Sequence, residues 1–317
     1  MKEPIFLSGT FTSDIWGGSK LNAMFGYESP YSTTGSYWAV SAHPNGDSEV
    51  INGKLKGLKL SEVWNTYPEL FNYPKEPAFP YLVKIIDAKK DLSIQVHPDN
   101  DYALKNEGEL GKTECWYVLD AEEDAEVVFG HNAKNKEHFI KLIQQNDWDK
   151  LLNKRKVSPG DFIHVPSGMI HSIGAGIVLI EVQQSSDITY RLYDFDRKDK
   201  AGNKRKLHLK DAINVIEYKD TEINKRKIIY EDNNFSKEIL LEDSLFNVQK
   251  WTIKEKMKTN NEEDYMIVST IDGSGVIIVE DKNYYFNKGD HFLVTNNIDT
   301  YEIKGKCDLI ITTPTNT

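Results

Sequence analysis

The segment VSPGDFIHVPSG, residues 157–168, carries the turn and strand pattern that decides the fold. Gly160 and Asp161 are typical of a tight turn, and the residues after them alternate between apolar and polar as on a half-buried strand. A similar phrase, FNKGDHFLVTNN, occupies residues 286–297, but no histidine follows it as His171 follows the first. Because the pattern occurs twice, the sequence predicts two related β units in tandem.

Many other short stretches also look like strands, and turn residues separate them at short intervals. Such spacing is typical of sandwiches and barrels rather than of alternating strands and helices. We therefore predict a mainly β chain built as two tandem β-barrels or jelly rolls, with a few padding helices. Apolar periodicity predicts one helix over 136–154 and shorter helices over 60–71 and 209–218.

A charged, amide-rich stretch at 199–240 is expected to connect the two units. We accordingly place one domain at residues 1–235 and the second at 236–317.

The composition excludes several classes of partner. A net charge of −10 and a pI near 5.4 argue against nucleic acid or an anionic membrane as the partner. The only two cysteines, Cys115 and Cys307, lie too far apart in sequence to suggest a disulfide framework. No stretch resembles a signal peptide or reaches the roughly 18 apolar residues of a membrane span. These features predict a soluble cytoplasmic protein, and they leave its oligomeric state open.

Polar side chains occur where buried strands are expected. In SIQVHPDN, residues 93–100, Ile94 and Val96 alternate with Gln95 and His97. Because successive side chains of a strand point to opposite faces, Gln95 and His97 are predicted to share one face.

The stretch GKTECWYVL, residues 111–119, places Lys112, Glu114 and Trp116 on one face by the same rule. Further along the chain, SSDITYRLYDF predicts that Thr189, Arg191 and Tyr193 point together.

The side chains of Gln95, His97, Glu114 and His171 offer one amide, two imidazoles and one carboxylate. Zinc accepts imidazole nitrogen and carboxylate oxygen, and catalytic zinc sites leave one position open. The inward faces of a small barrel can bring such ligands together. We leave His164, on a neighbouring strand, as structural.

These motifs resemble known families. The pattern Gly160, Asp161, Pro166 and His171 is similar to the second motif of cupins. The phrases QVHPD and GKTECWY are narrower. With WGG at 16–18, TGSYWAVSAHPNG at 34–46 and ITYRLYDF at 188–195, they make the chain resemble the type I mannose-6-phosphate isomerases in their short bacterial form.

The resemblance implies two cupin-like units, a catalytic one with helical insertions at 1–235 and one without a metal site at 236–317. It implies one zinc ion per chain, held by Gln95, His97, Glu114 and His171. It also implies a small sugar phosphate as substrate, with Arg191 and Lys112 as catalytic and substrate-binding residues.

The implied reaction interconverts mannose 6-phosphate and fructose 6-phosphate through an enediol, and the residues leave the proton-transferring base open between Lys112 and a zinc-bound hydroxide. One departure is Ser36, where the family usually has glutamate; it affects the expected contacts around Trp38 rather than the metal.

Two other functions also fit parts of the pattern. A non-haem iron oxygenase uses two histidines and a carboxylate, but Gln95 and the cationic neighbours favour the isomerase. A non-catalytic sugar-binding barrel is the other alternative, and it would be expected to lose Glu114, Arg191 or a histidine, all of which this chain keeps.

Overall fold

A computed structural model of the chain describes residues 2–199, 201–218 and 226–315. Within these ranges the chain is mainly β, as predicted. The earlier strands are β1 Ile5–Ser8, β2 Thr10–Thr12, β3 Ser36–His43, β4 Gly46–Asp47, β5 Glu49–Val50, β6 Tyr81–Ala88, β7 Ile94–Val96, β8 Glu114–Ala121, β9 Glu126–His131, β10 Leu152–Lys156, β11 Phe162–Val165, β12 His171–Ile173, β13 Ile177–Gln184 and β14 Tyr190–Tyr193. The later strands are β15 Lys227–Glu231, β16 Phe235–Glu242, β17 Asn247–Ile253, β18 Lys256–Asn260, β19 Tyr265–Val279, β20 Lys282–Asn287, β21 His291–Thr295 and β22 Thr300–Thr313.

Helices are few and short in the described ranges, and none of them is long and apolar enough to cross a membrane. They are α1 Lys20–Phe25, α2 Leu60–Thr66, α3 Asn100–Asn106, α4 Lys136–Gln144, α5 Trp148–Leu151 and α6 Leu209–Val215, with single 3-10 turns at Gly53–Leu55 and Pro68–Phe71. Part of the predicted connection at 199–240, namely residues 200 and 219–225, lies outside the described residues.

The single helix predicted over 136–154 is wrong in its second half. Helix α4 ends at Gln144, and Asn146 takes a φ of 55°, in the left-handed region that does not continue a helix. After the single turn α5, residues 152–156 pair with β9 as strand β10. Strand pairing therefore overrides the helical periodicity of this stretch.

Three antiparallel sheets contain the strands of the described ranges. A seven-stranded sheet has the order β11-β8-β13-β6-β3-β2, with β4 beside β3, and a five-stranded sheet has the order β10-β9-β12-β7-β14. A ten-stranded sheet has the order β15-β16-β17-β22-β19-β21-β1-β5, with β18 and β20 on its flanks. Strand β1 thus lies among strands of the C-terminal part, and the domain boundary at 235/236 stays a prediction.

The five- and seven-stranded sheets face each other. One buried apolar cluster combines Trp116 and Ile163 of the seven-stranded sheet with Val127 and Ile173 of the five-stranded sheet. The other face of the five-stranded sheet is covered by residues of α4 to α6. Side chains pointing between the two sheets are therefore shielded from water on both sides.

Both predicted Gly-Asp turns form, with matching geometry. Gly160 and Gly289 each have a φ of 92°, which a glycine adopts without strain. The amide of Asp161 donates to the carbonyl of Ser158 at 3.0 Å, and the corresponding bond of the second turn is 2.9 Å. The two turns of the predicted internal repeat therefore share one backbone geometry.

Candidate metal centre and adjoining cavity

Three polar residues form a row across the five-stranded sheet. His171 on β12 pairs with Gln95 on β7, and Gln95 pairs with Arg191 on β14. Directly opposed residues of neighbouring strands have Cβ atoms only about 4.5–5.5 Å apart. His97 follows the end of β7, and Glu114 begins β8 in the facing sheet. Strand pairing thus gathers residues that lie up to 96 positions apart in sequence (191 − 95).

His97, Glu114 and His171 form a buried cluster whose possible ligand atoms all lie within 4.8 Å of one another. The two histidine Nε2 atoms are 3.2 Å apart. Glu114 Oε2 lies 3.4 Å from Nε2 of His97, and its Oε1 lies 3.5 Å from Nε2 of His171. Each of the three residues is at most 1% exposed.

The hydrogen bonds of the two rings determine which nitrogen is free. Nδ1 of His97 lies 2.7 Å from the carbonyl of Ile188, and Nδ1 of His171 lies 2.9 Å from that of Met169. A carbonyl only accepts, so each Nδ1 carries the proton and each neutral ring directs an Nε2 lone pair into the cluster.

Protonation of the rings is disfavoured as well. Burial, followed by the Lys112 ammonium, lowers the pKa of His97 to about 3, and burial lowers the pKa of His171. Burial opposes ionisation of Glu114, but the Lys112 ammonium outweighs it and holds the pKa of its carboxyl well below its usual range. Two lone pairs and a carboxylate that converge in a dry site are a donor set suited to a divalent cation such as zinc.

Gln95 and Lys112 also reach this cluster. The amide nitrogen of Gln95 lies 3.3 Å from Nε2 of His171, and a half-turn of the amide would present its oxygen there instead. The Lys112 ammonium lies 2.9 Å from Glu114 Oε2 and 3.1 Å from Nε2 of His97. The roles of both residues stay predictions.

A cavity of about 380 Å³ adjoins the cluster. Four cationic side chains line it although the chain as a whole carries a charge of −10: Lys84, Lys112, Arg191 and Arg205. Three carboxylates also line it: Asp14, Glu181 and Asp187. The half-buried Arg191 donates from Nε to Ser93 Oγ at 3.1 Å. With His208 neutral, the lining has a formal charge of +1 (4 − 3), which favours an anionic ligand more than the rest of this acidic protein does.

Tyr193 does not face the cavity, contrary to the alternation predicted for Thr189, Arg191 and Tyr193. Thr189 and Arg191 line the cavity, but the register of β14 shifts between Arg191 and Tyr193. Tyr193 instead stacks on Trp148 with ring centroids 4.7 Å apart, on the helix-covered side of the sheet. An irregularity of this kind reverses the facing of the residues after it.

Ser36, the departure from the family pattern, takes part in a chain of hydrogen bonds near Trp38. The Ser36 hydroxyl lies 2.8 Å from that of Thr12, which donates to Asp14 Oδ2 at 2.8 Å. Trp38 itself lies beneath the Lys84 ammonium, 4.6 Å from the ring centroid. A carboxylate therefore stands near Ser36 even though position 36 carries none.

Sequence reasoning missed Lys84 and Glu181, which form a buried ion pair with 3.5 Å between Nζ and Oε1. Burial and then Lys112 lower the pKa of Lys84, whereas burial and then Glu114 raise the pKa of Glu181. A signal was available, because each is the lone charged residue within an apolar run (YLVKII and IVLIEV), and charges are rarely buried without a partner.

Arg205 was missed for a different reason. It comes from the stretch after β14, where no periodicity marks it. Asp194 holds its guanidinium, with Nε 2.8 Å from Oδ2.

Fold and cluster together define a class, the cupin-type β proteins with a His-Glu-His group able to bind a metal ion. Residues 5–131 match the family model "Phosphomannose isomerase type I, catalytic domain", and residues 237–314 match "Mannose-6-phosphate isomerase, cupin domain". The chain belongs to the type I mannose-6-phosphate isomerase family.

Individual relatives support this assignment over the full length. The mannose-6-phosphate isomerase of Streptococcus mutans is 47% identical, and mannose-6-phosphate isomerase ManA of Bacillus subtilis is 44% identical, each with 98% of both chains covered. A crystal structure of a mannose 6-phosphate isomerase from Bacillus subtilis superposes with a TM-score of 0.95 at 42% identity, covering 98% of this chain and 99% of that one.

The predictions of a mainly β cupin fold and of an isomerase of this family are therefore confirmed. The oxygenase and the non-catalytic sugar-binding barrel are set aside by the same family assignment.

Proposed function

We propose that this chain is a zinc-dependent isomerase that interconverts mannose 6-phosphate and fructose 6-phosphate through an enediol. The proposal rests on one observation: two histidine Nε2 atoms and a buried carboxylate converge beside a cavity that four cationic side chains line. The full-length relatives from Streptococcus mutans and Bacillus subtilis are named for this reaction.

In the proposed site, His97, Glu114 and His171 hold one zinc ion per chain, with Gln95 as the fourth protein ligand. When bound, zinc supplies positive charge that polarises the substrate carbonyl and favours the negative charge of the enediolate. Two histidine nitrogens and a carboxylate match the ligands that zinc prefers.

The cationic residues of the cavity contact the substrate. Arg191 binds substrate oxygens that bear negative charge, since a guanidinium stays charged and offers paired donors. Lys112, beside Glu114, donates to a sugar or phosphate oxygen. Lys84, which lines the same cavity and pairs with Glu181, is a further donor to a substrate oxygen.

We further propose that residues 1–235 carry the chemistry and that residues 236–317 hold no metal. A cytoplasmic location is proposed as well. It fits Cys115 and Cys307, which are both free and buried.

The test is an assay of the purified protein for fructose 6-phosphate formation from mannose 6-phosphate, before and after treatment with a chelator. We expect turnover in the untreated protein, its loss after chelation and its return when zinc is restored. Absence of turnover in a folded, zinc-loaded preparation would refute the proposed reaction. Full turnover after complete zinc removal would refute the role of the metal.

A further inference from the structure

The indole nitrogen of Trp116 lies between two buried carboxylates. It lies 3.0 Å from Oε1 of Glu114 and 3.1 Å from Oε2 of Glu181. The indole N–H only donates, so both oxygens accept from the same hydrogen. Glu114, Trp116 and Glu181 are all at most 3% exposed, and water therefore cannot easily replace this donor.

Strand register explains why the three side chains meet. Glu114 and Trp116 lie two positions apart on β8 and so share a face, and Trp116 pairs directly with Glu181 on β13. Glu181 in turn pairs with Lys84 on β6. The resulting order of charge is Lys112, Glu114, the indole N–H, Glu181 and Lys84, so each carboxylate lies between two positive or partly positive groups.

The indole also touches a second member of the cluster. Its ring meets the imidazole of His171 edge to face, with centroids 5.6 Å apart and an interplanar angle of 70°. The oxygen of Glu114 that accepts from the indole is the same one that faces His171 Nε2 at 3.5 Å. One side chain therefore contacts two of the three residues that would hold the metal.

We propose that Trp116 is a positioning residue for the metal centre: its N–H fixes the rotation of the Glu114 carboxylate and separates that carboxylate from Glu181. This inference rests on the proposed zinc site. Without the N–H, two buried carboxylates would face each other with no shared donor, and Glu114 would turn away from its place between the histidines. Groups that orient metal ligands commonly contribute about 10–100-fold to metal affinity.

Trp116→Phe tests the inference because it keeps an aromatic ring against His171 and removes only the donor and the second ring. A matched control exists in the C-terminal part, where Trp251 Nε1 donates to Gln249 Oε1, also two positions away on one strand, at 2.8 Å. Trp251→Phe loses a comparable hydrogen bond in a separate apolar cluster that contains none of the predicted ligands. Zinc affinity is measured by competition with a chromophoric chelator, and the melting temperature of the zinc-free protein is recorded beside it.

We expect Trp116→Phe to weaken zinc binding about 10–100-fold, while Trp251→Phe binds zinc as the wild type does. Unchanged affinity in Trp116→Phe, or an equal loss in Trp251→Phe, would overturn the inference. If the melting temperature of zinc-free Trp116→Phe also falls, the weaker binding could come from a destabilised fold. A benzothiophene analogue of tryptophan at position 116 then separates the two causes, because it keeps the shape of the side chain and lacks only the N–H. Unchanged affinity in that protein would overturn the inference, and weakened affinity supports it. A wild type that binds no zinc would refute the proposed function instead.

Discussion

The two Gly-Asp turns have the same backbone geometry, but the strands that follow them pair with residues of different polarity. After the first turn, β11 pairs with β8 so that Val165 faces Glu114; after the second, β21 pairs with β19 so that Val294 faces Met266. The position of the buried carboxylate is thus taken by a thioether in the C-terminal copy. The shared backbone geometry is therefore not enough to form a metal site, which requires a few polar side chains at particular positions.

Other positions that are polar or lie beside the cluster in the N-terminal copy are occupied by apolar side chains in the C-terminal copy. Trp116 corresponds to Val268 by the same register, and Phe292 stacks on Phe6 with centroids 4.8 Å apart. The histidine of the second turn, His291, is fully buried and bonded to Ser269 Oγ at 2.9 Å and to Tyr27 Oη at 3.1 Å. In this copy a histidine stabilises the fold, whereas in the N-terminal copy two histidines direct free nitrogens at each other.

The largest effect is expected from removing one histidine of the N-terminal cluster. His97→Ala deletes a predicted ligand, so we expect loss of bound zinc after dialysis and of all zinc-dependent turnover. His291→Gln is the matched change in the C-terminal copy, and it should keep zinc and turnover. Zinc content and turnover are measured on the same preparations. Retention of zinc by His97→Ala, or its loss from His291→Gln, would break the contrast between the two copies.

A smaller loss, confined to turnover, is expected at Arg191. Losing one preorganised donor to charge that develops in the reaction typically costs about 10²–10³ in rate. Arg191→Ala should therefore lose at least that much in kcat while keeping its fold and zinc, and Arg191→Lys should recover only part, because an ammonium lacks the planar fork.

The Arg191 measurement combines kcat, circular dichroism and zinc content. Arg226, which pairs with Glu238 away from the cavity, provides a control substitution, Arg226→Ala. Normal turnover in Arg191→Ala would show that this residue does not act in the reaction. Loss of zinc or of the fold in this variant would show that its role is structural.

Gln95 is expected to matter less than His97 for the metal. An amide oxygen is a weaker donor to zinc than an imidazole nitrogen, so Gln95→Ala should retain more zinc after dialysis than His97→Ala does. The comparison is made by elemental analysis of both variants under one dialysis protocol. Equal zinc loss from the two variants would show that the amide is as important to the site as the imidazole.

The smallest effect concerns the C-terminal histidine and pH. Burial lowers the pKa of His291 to about 3, whereas an unfolded histidine titrates near 6.5. Below about pH 6.5 the unfolded chain binds a proton that the folded chain does not, so this residue lowers stability progressively as pH falls towards 3. The loss from one such group is at most about 1.4 kcal/mol per pH unit.

His291→Gln should therefore flatten the pH dependence of the free energy of unfolding between pH 6.5 and 4.5 (about half the range over which the group acts). Urea unfolding of wild type and variant at both pH values gives the two slopes. Identical slopes would mean that His291 is protonated in the folded protein or does not contribute to acid destabilisation.

Local sequence patterns predicted part of the site and could not predict the rest. Alternation along single strands was enough to place Gln95 with His97 and Glu114 with Trp116, because the facing of successive residues depends only on strand geometry. It failed at Tyr193, where a register shift set by the neighbouring strand changes the facing.

Pairing between distant strands explains the other omissions. Glu181 and Lys84 face the site because β13 pairs with β8 and β6, and single-strand periodicity contains no information about partners. The same reason accounts for the stretch 152–156, whose helical pattern gives way to pairing with β9. The fold class and the cluster of His97, Glu114 and His171 were therefore accessible from the sequence. For Lys84 and Glu181 the sequence signals only a buried charge, and strand pairing alone shows that the two meet at the site.

The most direct test of the contrast between the two copies is the zinc stoichiometry of the purified wild-type protein, determined by elemental analysis against an independent protein concentration. Only the N-terminal copy offers converging His and Glu ligands in the described part of the chain. We predict one tightly bound zinc ion per chain and none after chelation, with turnover lost in proportion. Two zinc ions per chain, or full turnover in a preparation without zinc, would contradict the account.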